Sequence, residues 1–112
     1  MSSFSEKGLL GELEQLVLLA ILRLGNCAYA VAVRDEIHSQ TGIDLARSSV
    51  YVTLDRLDRK GYVASWFADP TPERGGKAKR FFKTTSEGQR ALVAAAEAIE
   101  RLRRPRPVRS RA

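Results

Sequence analysis

The stretch Arg47 to Val63, RSSVYVTLDRLDRKGYV, restricts what this chain can fold into more than any other part of it. Val50, Leu54 and Leu57 recur at spacings of three and four, which places them along one side of a helix pressed on a core. At about 100° per residue, the opposite side carries Ser48, Ser49, Val52, Asp55, Arg56 and Arg59. That outer side is small and polar at its start and basic towards its end. Gly61 stops the helix, and Tyr62-Val63 begins an extended segment. A helix whose first residues are small enough to approach base edges, followed by arginines in reach of phosphates, suits the major groove of a duplex. An ordinary amphipathic helix with a solvated face shares this pattern, so the flanking sequence has to decide between them.

Charge is the first discriminator. The 112-residue chain carries a net charge of +6, but residues 1–46 hold three basic side chains against six acidic ones, whereas residues 47–112 hold sixteen against seven. A first part of net −3 joined to a second part of net +9 suits a polyanion, either nucleic acid or an anionic membrane surface. With 44% hydrophobic residues the chain is expected to be globular, and its length fits one domain with a modest core. The single cysteine, Cys27, can form no internal disulfide, which suits a reducing compartment. The opening MSSFSEKG has no apolar segment of the signal-peptide kind, and the longest apolar run, Leu16 to Leu22, falls far short of a membrane span. The expectation is a cytoplasmic protein without a membrane partner.

Taken in order, Glu12 to Leu24 is predicted as the first helix, closed by Gly25-Asn26. Leu13, Leu16, Val17, Ala20, Ile21 and Leu24 make one apolar stripe, and Leu18, Leu19 and Leu22 cover most of the other side. A helix apolar almost all round is buried on two sides, and in so small a domain the second side is expected to meet another subunit. Ala28 to Thr41 is predicted as a second helix, with Tyr29, Ala30, Val33 and Ile37 inward; Gly42 ends it, and Ile43-Asp44-Leu45 leads into the helix beginning at Arg47. Two helices joined by a tight Gly-containing turn make a helix-turn-helix. Tyr62 to Asp69 and Lys79 to Thr84 read as two strands around the turn-rich segment Pro70 to Lys77, giving a hairpin with Arg74, Lys77, Lys79 and Arg80 at its tip. Placed directly after a groove-reading helix, such a hairpin is a wing. Thr85 can cap a final helix from Ser86 to about Arg104, with Leu92, Ala95, Ala96, Ile99 and Leu102 on one stripe suited to packing on the first helix of the same or a partner chain. The tail RLRRPRPVRSRA, interrupted by Pro105 and Pro107, reads as solvated and basic.

The assembled order resembles the PadR-like winged-helix transcriptional regulators. The opening Gly11 to Leu22 looks like the family's start, and Tyr29-Ala30-Val31-Ala32-Val33 is similar to its Tyr-Gly-x-x-Ile piece, with Ala30 in place of the glycine. Ser49 to Leu57 followed by Lys60-Gly61-Tyr62-Val63 resembles the recognition-helix signature. Gly75-Gly76-Lys77 with Lys79 to Thr85 and Gly88 looks like the wing and the following cap. The match spans roughly residues 9 to 92. It implies a dimeric DNA-binding regulator, usually a repressor, in which Tyr51 contacts the DNA backbone and the last helix serves dimerisation. Many members carry a longer C-terminal helical region that completes the dimer and shapes an effector site; here one helix leads straight into the arginine-rich tail, as in a short form of the family.

Nothing in the sequence favours catalysis. His38 is the only histidine and is read as a surface or packing residue, Cys27 as a small buried one. Gly75-Gly76 lacks the context of a phosphate loop, and there is no ligand set for a metal and no cofactor motif. Trp66 is read as core rather than as a platform, with Phe67, for a planar ligand. The predicted fold is mainly α with a small β-hairpin, a winged helix-turn-helix dimerising through its first and last helices. The expected organisation is an N-terminal arm at 1–10, the DNA-binding domain at 11–84, the dimerisation helix at 85–104 and a disordered basic tail at 105–112. The predicted partners are double-stranded DNA and a second copy of the chain, with any small-molecule effector left unidentified. Arg47, Ser48, Ser49, Tyr51, Val52, Thr53, Arg56, Arg59, Lys77, Lys79 and Arg80 are expected at the DNA, with Ser48, Ser49, Val52 and Thr53 nearest the base edges. Leu13, Leu16, Leu18, Leu19, Leu22, Leu92, Ala95, Ala96, Ile99 and Leu102 are expected at the dimer interface. The rival readings are a winged-helix module for protein–protein contacts and an RNA binder acting through its tail.

Overall fold

The computed structural model describes residues 8–68 and 79–106. Seven elements follow one another: α1 (Glu12–Arg23), β1 (Ala28–Tyr29), α2 (Ala30–Thr41), α3 (Arg47–Arg59), β2 (Val63–Phe67), β3 (Arg80–Thr84) and α4 (Ser86–Arg103). The strands form one antiparallel sheet in the order β1-β3-β2, with Ala28 opposite Phe82 and Val63 opposite Thr84. Among the described residues no helix is long and apolar enough to cross a membrane.

Helix ends are set by the residues that the spacing marks. After α1, Asn26 N donates to Ile21 O at 2.9 Å and Gly25 N to Leu22 O at 3.1 Å; after α3, Tyr62 N donates to Leu57 O at 2.9 Å and Gly61 N to Asp58 O at 3.0 Å. This paired closure needs a left-handed residue just past the helix, and Gly25 and Gly61 supply it with φ of +85° and +80°. Asn26 is also left-handed, and its Oδ1 accepts from Thr84 N at 2.8 Å and Thr84 Oγ1 at 2.9 Å, while Gln89 Nε2 donates to the same hydroxyl at 3.0 Å. The turn after α1, the end of β3 and the start of α4 are thereby joined through the buried Thr84.

The core gathers Val17, Leu18 and Ile21 of α1, Val33 and Ile37 of α2, Val50, Leu54 and Leu57 of α3, Phe82 of β3 and Leu92 and Ala95 of α4. Helix α1 lies at the centre, packed by α2, α3, β3 and α4. Its nearly all-round apolar surface is therefore covered largely within one chain. Leu18, Leu92 and Ala95, expected at a subunit interface, are buried in the chain's own core; Leu13, Leu16 and Leu22 pack against it in part.

Two further expectations give way. Ala28 and Tyr29 are not the first turn of α2 but a strand paired with β3, because Tyr29 is extended (φ −102°, ψ 166°) and serves as the residue before the helix. Cys27 is exposed, in the connection between α1 and β1, while its neighbour Ala28 is buried.

Glu14, an acid on the apolar stripe of α1, is only 4% exposed. Its Oε1 accepts from Gly11 N at 2.8 Å, ahead of the helix, and its Oε2 lies 2.8 Å from Lys60 Nζ at the end of α3. Burial pushes the carboxyl upwards, but the bonds from Lys60 and Gly11 and the charges of Lys60 and Arg56 outweigh it and hold the group below its ordinary value. A depressed carboxyl contributes stability that is whole above the ordinary value and is lost as pH falls through the lowered one. Glu14→Gln should therefore be less stable by about 1–3 kcal/mol at neutral pH. Urea titrations at descending pH should show that gap closing as wild-type Glu14 takes up its proton; a gap independent of pH would mean the pair does not tie α1 to α3.

Candidate nucleic-acid interface

The connection from α2 to α3 is braced from several directions. Gly42 N donates to His38 O at 2.8 Å, Thr41 Oγ1 donates to Ile37 O at 2.6 Å and accepts from Ile43 N at 3.0 Å, and Arg34 Nε donates to Leu45 O at 2.6 Å. These bonds fix the angle at which α3 leaves the turn. Its first turn contains no acid and no side chain caps it, so its amide N–H groups and the exposed Arg47 and Ser48 give that end positive character.

Along α3, Val50, Thr53, Leu54 and Leu57 face the core. Thr53 is thus a correction: it is 2% exposed, and its hydroxyl donates to Ser49 O at 2.8 Å, which satisfies the polar group without solvent and removes the side chain from any base edge. Ser48, Tyr51, Val52, Asp55, Arg56 and Arg59 are exposed, with Val52 at 53%, and Ser49 is half-buried. Among the described residues Arg47, Arg56 and Arg59 form no ion pair, so their charges are available.

The wing stands beside this face. In its ladder Ser65 pairs with Phe82, Trp66 with Phe81 and Phe67 with Arg80. Residues 69–78, with Arg74 and Lys77, lie outside the described residues. Side chains alternate between the two faces of the sheet. On the outer one, Tyr29, Phe81 and Trp66 form a row across the three strands, edge-on at 5.7 Å and stacked at 6.1 Å. Lys79 Nζ sits 3.7 Å over the Tyr29 ring. Trp66 is therefore not core: it is partly exposed on this row, and Phe67 is 67% exposed beyond the sheet's covered end. Tyr51, Phe67 and Lys79 line an open groove of about 490 Å³ between α3 and the wing.

On the inner face Arg80 turns towards α3. Its Nη2 lies 2.9 Å from Asp58 Oδ2, its Nη1 3.2 Å from Asp55 Oδ1, and its Nε donates to Ser65 Oγ at 3.1 Å. Sequence reading places Arg80 at the duplex and leaves Asp58 without a part; their pairing spans 22 residues and has no local signal.

Away from this surface, α4 turns Leu92 and Ala95 inward and leaves Val93, Ala96, Ile99 and Leu102 exposed, Leu102 at 89%. Leu19 of α1 is 48% exposed. Among the described residues no group of three or more His, Cys, Asp or Glu is placed to hold a metal ion.

Residues 18–94 match the profile of the transcriptional regulator PadR-like family. A PadR family transcriptional regulator from Eggerthella lenta DSM 2243 is 28% identical, with 81% of this chain and 79% of that one covered at a TM-score of 0.64. A PadR family regulator from Clostridium difficile R20291 superposes with a TM-score of 0.68 at 15% identity, covering 82% and 91% of the two chains. F93 from STIV, described as a winged-helix DNA-binding protein, gives 0.63 at 16% identity, covering 80% and 88%. These last two likenesses are of fold. Comparison with curated proteins finds no match.

Proposed function

Because this chain belongs to the PadR-like family of transcriptional regulators, and is accordingly a DNA-binding regulator rather than an enzyme, we propose that it acts as a homodimeric repressor on a pseudo-palindromic operator. The observation that carries this reading is the outer side of α3, where small side chains precede arginines that form no ion pair among the described residues and the wing lies alongside. In this reading Ser48, Ser49 and Val52 approach base edges. Arg47, Tyr51, Arg56 and Arg59 hold phosphates, and Lys79 adds a backbone contact from the base of the wing, with Lys77 expected to extend it. Thr53 has no part in it. Pairing uses the exposed side chains Leu19, Ala96, Ile99 and Leu102, so that two copies of α3 meet successive turns of one duplex.

Selection of genomic fragments by the purified protein, followed by footprinting, tests this. Paired half-sites about one helical turn apart, roughly 10 bp, are expected. Binding that is weak and indifferent to sequence would favour the protein–protein module. Arg56→Ala should weaken binding to every sequence and flatten the dependence of log K on log salt by about one unit. An unchanged slope would take Arg56 off the contact surface.

A further inference from the structure

The recognition helix of a DNA-binding protein gains nothing electrostatically from acids, yet α3 carries Asp55 and Asp58 among its exposed and half-exposed residues. Three residues apart, they share one side of the helix and form a fork. Arg80 fills it: Nη1 reaches Asp55 at 3.2 Å, Nη2 reaches Asp58 at 2.9 Å and Nε donates to Ser65 at 3.1 Å, while the guanidinium carbon lies 4.8 Å over the Phe82 ring. Every guanidinium nitrogen thus has a partner within the chain. A single exposed ion pair contributes little, but a planar group held by two carboxylates, a hydroxyl and a ring has its geometry over-determined. The partners come from two sides that move apart if the wing swings, β2 and β3 on one and α3 on the other.

We infer that Arg80, Asp55 and Asp58 form a clasp that fixes the wing relative to the recognition helix, and that Arg80 is a positioning residue rather than a phosphate contact. The clasp deepens the DNA-binding reading and rests on it for its consequence, which is that Lys79 meets the duplex in a fixed relation to Ser48 and Arg56. This gives the two acids a part on the DNA-facing helix: they hold the wing.

The test is the Asp55→Ala/Asp58→Ala double variant of the full chain, with Arg80→Lys beside it. Removing two negative charges strengthens attraction to any duplex, so a clasp of no consequence predicts tighter binding to operator and random DNA alike. With the clasp, random DNA binds more tightly while the operator does not follow, and the ratio of the two affinities falls by about tenfold or more. A ratio unchanged or raised overturns the proposal. Arg80→Lys keeps the charge and loses the fork, and should lower the ratio to a similar degree at an unaltered salt slope; full retention of the ratio counts against the clasp. Hydrogen exchange without DNA separates this from the wider reading. Amides of β2 and β3 should exchange about tenfold faster in the double variant, whether or not an operator is found, and unaltered exchange overturns the clasp.

Discussion

Ile99→Asp combined with Leu102→Asp is expected to leave a folded monomer whose affinity for a full operator is lower by roughly a hundredfold or more. Both side chains lie on the outer side of α4, Leu102 almost wholly in solvent, so nothing in the chain's own core depends on them. A fully buried Leu or Ile side chain contributes about 1.5–3 kcal/mol, and a two-fold interface counts each twice. In the proposed dimer, carboxylates there would oppose one another across the pairing surface. The loss at the DNA follows from linkage, because a dimer presents its second recognition helix at high effective concentration once the first is seated. Light scattering should report the monomer, and binding to an isolated half-site should be little altered. A variant that stays dimeric, or binds the full operator as wild type does, would move the pairing surface elsewhere.

Gly88→Ala should be strongly destabilising. A Cβ at this position would lie 2.2 Å from Tyr62 O and 3.0 Å from Tyr62 C, and a backbone carbonyl cannot rotate aside as a side chain can. The same carbonyl accepts from Thr85 N at 3.0 Å, while Thr85 Oγ1 accepts from Gly88 N at 3.0 Å and donates to Gly61 O at 2.7 Å. The first turn of α4 is therefore seated on the turn that ends α3, and a methyl group lifts it off. Overpacking of this kind costs about 1–3 kcal/mol. At about 4–8 °C per kcal/mol for a domain near this size, the thermal midpoint should fall by several degrees to some twenty. A melting curve followed by circular dichroism decides; an unmoved midpoint would show that the contact is relaxed without cost.

The helices and their stops were legible in the sequence because the signals are local. Apolar spacing marked Val50, Leu54 and Leu57, and Gly25, Gly42 and Gly61 marked the ends. Two-residue β1 was not, since what makes Ala28 and Tyr29 a strand is their pairing with Phe82 and Phe81, more than fifty positions on. Polarity misplaced Thr53, whose hydroxyl is satisfied four residues back and whose β-branched body packs inward. Counting an arginine as cationic surface missed the ion pairs of Arg80 with Asp55 and Asp58, because a charge does not announce its partner. The apolar circumference of α1 suggested a second subunit on Leu18, whereas a helix at the centre of a small domain is enclosed by its own chain. Glu14 went unremarked for the same reason: its counterion, Lys60, lies 46 residues away.

The amide oxygen of Asn26 has a reach greater than its size. Through Thr84 it couples the end of α1 to the strand whose other end holds Arg80, and through Gln89 to the helix that carries Ile99 and Leu102. In the proposed dimer, the helix that seats one copy on the other and the strand that carries each hairpin share this one set of hydrogen bonds. A change at the proposed pairing face would then reach the hairpin through these bonds, as a shift in its position rather than a change in its chemistry.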